Sequence, residues 1–213
     1  MNIGIIDYGS GNIRSVSKSF ERAASELKLE FKINVVDSAV ELKKADRIVL
    51  PGVGAFADCM EGLKSINSLL ETLNDMVLSK SVPFIGICVG MQLMANYSRE
   101  HGKHKGFGWI DGEVVPIIKE NDYMKIPHMG WNSIKILKKH PMFSYIKNEE
   151  DFYFVHSYKF DLKDEAYVYS ETYYGKPITT VIIKNNIVGT QFHPEKSQIF
   201  GIQFIKNFLE WTP

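Results

Sequence analysis

The sequence has no net charge, no long apolar run and almost no cysteine. Twenty-five basic side chains balance twenty-five acidic ones, so no overall field favours nucleic acid or an anionic membrane as a partner. No apolar run approaches the ~18 residues of a membrane span, and the N-terminus lacks the basic and apolar regions of a secretory signal. Two cysteines do not make a disulfide framework. We therefore expect a reduced, cytoplasmic protein that binds neither membranes nor nucleic acid.

The first ninety residues alternate strand-like segments with helical patterns. The strand-like segments are rich in Ile and Val, and the helical ones repeat apolar residues at steps of three and four. This alternation favours a flavodoxin-like, doubly wound, mostly parallel central sheet with helices on both faces, which carries its sites at the carboxyl ends of the strands. The predicted strands are 2–7, 31–36, 47–50 and 82–88, and the predicted helices are 13–27, 39–45, 66–80 and a segment from 89 to Tyr97.

The second half has a different pattern of polar and apolar residues. A polar loop is predicted over residues 98–108, and short apolar segments separated by turns follow, which indicates additional antiparallel strands. Asn185 and Asn186 predict a tight hairpin, and a helix closes the chain near Leu209. We expect one domain over residues 1–213, because the chain is 45% hydrophobic and long enough for a full core. The short apolar segments are 113–118, 132–137, 152–160, 166–173, 178–183 and 187–192.

Cys88 lies between a predicted strand and a predicted helix, with Gly86 and Gly90 two residues to either side. This is the spacing of a nucleophile elbow with sulfur in place of a hydroxyl. Small flanking residues let the nucleophile protrude from a crowded turn, and a helix N-terminus behind it favours the thiolate and a developing oxyanion. The opposing interpretation is an ordinary buried cysteine, which we prefer for Cys59 because it sits in a helical pattern without glycines at these positions.

The predicted strand before Gly52, Val53 and Gly54 ends at the same edge of the sheet as Cys88. Two glycines around one residue leave the Gly52–Val53 peptide free to rotate. A Pro-Gly pair is usually only a turn. If this strand neighbours Cys88, its backbone N–H groups complete an oxyanion hole.

A cysteine nucleophile needs a base, and His193 is the best candidate among six histidines. His193 follows a predicted strand, Pro194 stiffens the turn, and Glu195 stands two residues further on. Residues two apart in an extended segment face the same side, so Glu195 can bind one imidazole nitrogen while the other faces the thiol. These residues predict a Cys-His-Glu triad.

Two other segments carry weaker signals. The loop around Gly9 and Gly11 resembles a phosphate cradle, but Arg14 stands where the dinucleotide fingerprint has its third glycine, which favours a tight turn. His101 and His104 suggest a metal site, although no further His or Cys lies nearby to complete one, and a solvated loop is the commoner outcome. We expect no metal and no cofactor.

Taken together, two segments resemble the class I (triad) glutamine amidotransferases. They are Gly86-Ile-Cys-Val-Gly-Met-Gln92 and Gln191-Phe-His-Pro-Glu195. Further segments are similar to the glutaminase subunits of imidazole glycerol phosphate synthases, and the resemblance runs from residue 2 to about residue 210. Those segments are Leu50-Pro-Gly-Val-Gly54, Pro127-His-Met-Gly-Trp-Asn132, Phe154-Val-His-Ser-Tyr158 and His193-Pro-Glu-Lys-Ser197.

The resemblance implies a role for each matching residue. Cys88 is the nucleophile, His193 the acid and base, and Glu195 its orienting partner, while Val53 and Val89 donate oxyanion N–H groups. Many members have Leu at the position of Val89, a departure that matters little because the role belongs to the backbone. The implied glutamine pocket includes Gly54, Gln92, Glu100, His156 and Ser157.

The resemblance also implies a partner, a (βα)₈-barrel cyclase subunit that receives ammonia in a heterodimer. The implied docking face holds Trp131, Asn132, Tyr153 and Lys196, although Trp131 is equally compatible with a core position and Lys196 with a solvated one. Three alternatives stay open from the sequence: a paralogous glutaminase that feeds another acceptor such as an amidino-sugar pathway, a thiol hydrolase on the same sheet, and a non-catalytic binding module.

Overall fold

A computed structural model describes all 213 residues of the protein. Its first half alternates strands and helices, as the apolar pattern predicts. The elements are β1 (Asn2–Ile6), α1 (Ile13–Leu27), β2 (Lys32–Val36), α2 (Ala39–Leu42), β3 (Arg47–Gly52), α3 (Phe56–Ser65), α4 (Leu69–Asn74), β4 (Phe84–Cys88) and α5 (Val89–Gln92).

The second half consists mainly of strands and ends in one long helix. Short 3₁₀ turns connect several of the strands. The elements are β5 (Tyr97–Ser98), β6 (His104–Lys105), β7 (Gly112–Pro116), β8 (His128–Ser133), β9 (Lys135–Ile136), β10 (Asp151–His156), β11 (Tyr158–Leu162), β12 (Val168–Tyr174), β13 (Lys176–Lys184), β14 (Ile187–Thr190) and α6 (Gln198–Glu210).

The central sheet has eight strands in the order β2-β1-β3-β4-β14-β13-β12-β9. The first five are parallel to their neighbours, and the last three pair antiparallel. A two-residue turn at Asn185 and Asn186 joins β13 to β14, as predicted. The order reverses between β1 and β3, which is the doubly wound topology expected from the sequence. The fold class is therefore confirmed.

Helices pack in two groups. Helix α1 packs on α6, where Phe20 and Phe208 meet edge to face with ring centroids 6.3 Å apart, whereas α4 packs against α2 and α3. Residues of both halves contribute to a single cluster of 53 buried hydrophobic side chains. None of the helices has the length and apolar character needed to cross a membrane.

The helix predicted over residues 66–80 is interrupted. Ser68 takes a left-handed conformation with φ of 56°, so α4 starts only at Leu69. The segment Asp75–Ser79 then widens into a π-turn, closed by a hydrogen bond of 3.0 Å from Lys80 N–H to the Asp75 carbonyl. Met76 and Val77 are buried there, so packing overrides regular helical geometry.

The helix predicted behind Cys88 is also shorter than expected, and Tyr97 belongs to strand β5. Helix α5 ends at Gln92 because the Leu93 carbonyl accepts the Phe107 N–H at 2.7 Å instead of continuing the helical ladder. The segment predicted as a polar loop thus contains strands β5 and β6, which build a four-stranded sheet in the order β11-β7-β5-β6. The third sheet pairs only β10 with β8.

The predicted strand 152–160 is in fact two strands in different sheets. Strand β10 ends at His156 and β11 starts at Tyr158, so Ser157 lies where the chain passes from one sheet to the other. The predicted strand 132–137 is likewise divided between β8 and β9. An apolar run alone does not reveal such a change of sheet, because each half pairs with a distant segment.

Candidate active site

Cys88 occupies a sharp turn between β4 and α5. Its backbone angles are φ 54° and ψ −109°, a strained conformation for a residue with a Cβ atom. The turn also demands small neighbours. A Cβ at Gly86 would lie 2.4 Å from the Gly90 carbonyl oxygen, and one at Gly90 would lie 2.0 Å from the Leu50 oxygen. The glycine spacing noted in the sequence therefore has a direct steric cause.

Three strand ends converge on this turn. Gly52 at the end of β3 is the register partner of Cys88. On the other side, Thr190 of β14 pairs with Ile87, and the chain then runs through Gln191 to His193. The parallel sheet thus places the glycine loop and the candidate base on the two flanks of the thiol.

His193 and Glu195 form a buried pair. Imidazole Nδ1 lies 2.8 Å from Glu195 Oε1, and the two side chains are only 1% and 2% exposed. Burial lowers the pKa of His193, but the charges of Cys88 and Glu195 and the hydrogen bond to Glu195 outweigh it and raise the pKa to about 10. His193 therefore holds a proton at neutral pH. Nε2 makes no well-formed hydrogen bond, so the Cys88 contribution is mainly electrostatic and the nitrogen remains available to reacting atoms.

Gln191 touches the thiol, a contact that was not predicted from the sequence. Its Nε2 lies 3.7 Å from Cys88 Sγ, and its Oε1 accepts a hydrogen bond of 3.1 Å from Gln92 Nε2. Gln92 also donates to the Tyr158 carbonyl at 3.1 Å. The signal was present: Gln191 stands two residues before His193 and so faces the same side of an extended segment.

A cavity of about 270 Å³ opens beside the thiol. Its walls include nine of the ten residues predicted to take part in catalysis, the oxyanion hole or glutamine binding. Glu195, the tenth, lies behind His193. Twelve residues line the cavity: Val53, Gly54, Cys88, Val89, Gln92, Glu100, Pro127, Val155, His156, Ser157, Tyr158 and His193.

Glu100 is the one acidic residue in the cavity wall, and its position is fixed. Its Oε2 accepts the Phe56 N–H at 2.7 Å, at the start of α3. A carboxylate is favoured at a helix N-terminus, so α3 helps to hold this charge at the cavity. The position of Glu100 suits a ligand that carries a positive charge.

The loop at Val53 is held on both sides of the Gly52–Val53 peptide. Tyr8 Oη donates to the Pro51 carbonyl at 2.8 Å. Ser10 Oγ and Cys59 Sγ both donate to the Val53 carbonyl, the thiol at 3.5 Å. The segment around Gly9 and Gly11 is therefore a turn between β1 and α1 whose Ser10 supports this loop. No group of three or more His, Cys, Asp or Glu side chains is placed to hold a metal ion.

Comparison with known proteins assigns the chain to a family. The family model described as glutamine amidotransferase class-I matches residues 5–211. The chain belongs to the class I glutamine amidotransferases. The resemblance based on the segments around Cys88 and His193 is thereby confirmed.

The amidotransferase has relatives that match it from end to end. It is 49% identical to the imidazole glycerol phosphate synthase subunit HisH of Brucella melitensis and 47% identical to that of Mesorhizobium japonicum, with 100% of each chain covered. Among solved structures, one described as a glutamine amidotransferase has a TM-score of 0.71 at 16% identity, covering 98% of this chain and 97% of that one. A putative GMP synthase subunit from Thermoplasma acidophilum has a TM-score of 0.68 at 22% identity, covering 98% and 92%. These two structures support the fold alone.

Three of the four residues predicted for a docking face lie together on the amidotransferase. Trp131 and Tyr153 are register partners in β8 and β10, with ring centroids 5.9 Å apart, and Lys196 Nζ lies 5.7 Å from the Tyr153 ring. Asn132 follows Trp131 in β8, but its side-chain amide contacts His128 on the other side of the strand. Trp131 is 47% exposed, which excludes the core position that its apolar character allowed.

Proposed function

We propose that the chain hydrolyses glutamine to glutamate and ammonia through Cys88, His193 and Glu195. One observation carries the proposal: the thiol and the imidazole line the same cavity, and Glu195 binds the far side of the imidazole ring. A thiol, a base and an orienting carboxylate are the parts that covalent amide hydrolysis requires.

The reaction then proceeds in two steps. The Cys88 thiolate, paired with protonated His193, attacks the side-chain amide carbon of glutamine; a C–S bond forms and the carbonyl π electrons move to the oxygen, giving a tetrahedral oxyanion. His193 gives its proton to the amide nitrogen, the C–N bond breaks, and ammonia leaves a thioester on Cys88. His193 next takes a proton from water, which attacks the thioester, and glutamate departs as the C–S bond breaks. The raised pKa of His193 ensures that the first proton is available.

Substrate binding is assigned to the remaining cavity residues. The Glu100 carboxylate complements the ammonium group of glutamine, while Gln92, hydrogen-bonded to Tyr158 and Gln191, lines the cavity. Gly54 lines the cavity with φ of 96°, which only glycine adopts without strain, and its backbone is assigned to substrate binding. His156 and Ser157 complete the pocket where β10 passes into β11.

The oxyanion is assigned to the backbone N–H groups of Val53 and Val89. Val89 follows Cys88 directly and is fixed by α5. The Gly52–Val53 peptide lies between two carbonyls that Tyr8 and Ser10 restrain, so this peptide can turn without moving its neighbours. We propose that its rotation switches the glutaminase on.

We further propose that the ammonia serves histidine biosynthesis. The full-length relatives named imidazole glycerol phosphate synthase subunit HisH support this acceptor. The partner is a (βα)₈-barrel cyclase subunit in a heterodimer, which combines ammonia with a phosphoribosyl formimino carboxamide nucleotide. Its products are imidazole glycerol phosphate and an aminoimidazole carboxamide ribonucleotide. The surface formed by Trp131, Asn132, Tyr153 and Lys196 is the proposed docking face.

Selective labelling tests the nucleophile. A chloro-ketone analogue of glutamine should alkylate Cys88 and leave Cys59 untouched, as peptide mass spectrometry would show. Cys59 is the internal control because it is equally buried but lies behind the Val53 loop. Cys88→Ala should abolish glutamine-dependent synthesis by the complex yet retain synthesis from ammonium salts. Labelling at Cys59 alone would show that the nucleophile is misassigned.

Three rates test the switch at Val53. Glutamate release should be slow for the isolated chain, faster with the cyclase subunit, and fastest with the subunit and its nucleotide. One oxyanion donor is worth about 3 to 4 kcal/mol, so the full effect should be ~10²- to 10³-fold. Three rates within a few-fold of one another would describe a stand-alone amidase without a switch.

A further inference from the structure

His156 in the cavity wall is one end of a chain of side-chain hydrogen bonds. It faces His128 across the antiparallel pair of β10 and β8, in which the two residues are register partners. Ring nitrogens His128 Nδ1 and His156 Nε2 lie 3.0 Å apart. His156 Nδ1 lies 2.8 Å from the carbonyl oxygen of Tyr158.

The position of each proton in this chain follows from its last acceptor. A carbonyl oxygen only accepts, so His156 must carry its proton on Nδ1, and its Nε2 is then an acceptor. His128 must therefore donate from Nδ1, which leaves its own Nε2 as an acceptor. Both rings are neutral, because burial lowers the pKa of His156 to about 3 and that of His128 to about 4.

Asn132 supplies the donor at the other end. Its Nδ2 lies 3.2 Å from His128 Nε2 and donates a second hydrogen bond of 3.1 Å to the Tyr173 carbonyl. Its Oδ1 accepts the Ser133 N–H at 2.9 Å, which fixes the orientation of the amide. Both N–H groups and the oxygen of the Asn132 amide are thus hydrogen-bonded.

This contact spans four residues of β8. Residues four apart in a regular strand are separated by ~13 Å. Gly130 lies between His128 and Asn132 with φ of 128°, outside the range of a regular strand, and the two side chains cover the remaining distance. The His128 ring is further held between Tyr174 and Phe154, with centroids 4.0 and 4.7 Å away.

We propose that Asn132 and His128 are positioning residues that lock His156 in one neutral tautomer and tie the glutamine pocket to the docking face. The donor direction runs from Asn132 through His128 and His156 to the Tyr158 carbonyl, and every link depends on the one before it. The proposal rests on the proposed function in naming glutamine as the ligand of the cavity and the surface around Trp131 as the docking face.

The chain of bonds also limits what His156 can do. Both of its ring nitrogens are engaged inside the protein, so neither is free to bind glutamine or to move a proton. His156 contributes a fixed surface and its backbone to the pocket. A substitution that replaces the donor of Asn132 with an acceptor should therefore change the affinity of the pocket for its ligand and leave the rate of reaction at Cys88 almost unchanged.

Ring-nitrogen NMR of the full chain tests the tautomers directly. In the wild type, His128 and His156 should both appear as neutral rings protonated on Nδ1 at pH 7. Asn132→Asp replaces the donor with a carboxylate of the same shape, so His128 should become protonated on Nε2. The matched control is Asn148→Asp, because Asn148 Oδ1 only accepts the Ile136 N–H and the surface site keeps that bond.

Alkylation of Cys88 by the chloro-ketone analogue tests the consequence. Asn132→Asp should raise the half-saturating analogue concentration about three- to ten-fold, the usual effect of one hydrogen bond, with the limiting alkylation rate nearly unchanged. Asn148→Asp should change neither. Wild-type rings protonated on Nε2, or an Asn132→Asp variant with unaltered rings and half-saturation, would overturn the proposal. A failure to alkylate Cys88 in the wild type would instead count against the glutaminase, while the ring states would still decide the tautomers.

Discussion

Two histidines border the same cavity and differ in almost every physical property. His193 is paired with a carboxylate, its pKa is raised to about 10, and its Nε2 makes no well-formed hydrogen bond. His156 is paired with a second histidine and a carbonyl, its pKa is lowered to about 3, and both nitrogens are occupied. Burial lowers the pKa of both. The partners therefore decide whether a buried histidine serves the chemistry or the shape of the site.

The largest expected effect is on glutamine turnover, which should fall far more when His193 is replaced than when His128, the partner of His156, is replaced. His193→Asn should lower glutamine turnover ~10²- to 10⁴-fold, the range for loss of a general base. His128→Gln should cost far less, because it touches only the positioning chain. Steady-state glutamate release by the complex measures both.

Glu195→Gln should lie between these two variants, since the base itself remains and loses only its orientation and charge support. His101→Gln and His104→Gln serve as controls on the polar strands β5 and β6 and their connection, and they should retain activity. If Glu195→Gln proved as damaging as His193→Asn, the assigned roles would have to be revised.

The next effect is on the free energy of unfolding, whose change with pH should have one sign for His193 and the opposite sign for His128 and His156. The raised pKa of His193 stabilises the fold fully below about 6.5, and this contribution is lost as pH rises through about 10. The lowered pKa values of His128 and His156 act in reverse: their neutral forms suit the fold above about 6.5, and stability falls as pH drops toward 4 and 3.

Chemical denaturation from pH 4 to pH 10 checks this difference. His193→Asn should reduce the loss of unfolding free energy at alkaline pH, and His128→Gln should reduce part of the loss at acid pH. Each change should be about 1 kcal/mol or more, since one pKa unit corresponds to about 1.4 kcal/mol. A common loss of stability at all pH values would mean that the substitutions merely disturb packing.

The smallest expected effect concerns the loop at Val53. Ser10→Ala removes one hydrogen bond to the Val53 carbonyl, so the neighbouring peptide should turn more easily. Basal glutamate release by the isolated chain should then rise, by at most about ten-fold. Cys59→Ser keeps a donor at the same carbonyl and should leave the rate unchanged. A slower Ser10→Ala variant would show that the bond assists the active state.

The fold was largely predictable because its first half follows local rules. The Ile-rich composition of β1 and the regular apolar spacing within α1 predict these elements from local sequence alone. The turn at Cys88 requires glycine at positions 86 and 90, and both glycines can be read from the sequence. The pair proposed for the triad, His193 and Glu195, is equally local, with one residue between its members.

What the sequence could not reveal depends on distant pairing. Strands β5 and β6 exist because residues 107–109 supply hydrogen bonds that end α5, and the polar composition of that segment hides them. The bond between His128 and His156 depends on the register of β8 and β10, and Asn132 contacts His128 from four residues further along the same strand. No local pattern encodes a cross-strand register.

The position of the thiol between distant partners also has a consequence for biosynthesis. Gln191, which contacts Cys88, is 103 residues away along the chain, and the base follows it. Synthesis runs from the N-terminus, so a growing chain carries its proposed nucleophile long before its proposed base. The elbow strand β4 also lacks its neighbour β14 until then. A half-made chain would therefore hold an inert cysteine, and glutamine would be safe from it until the last strand of the sheet has been inserted.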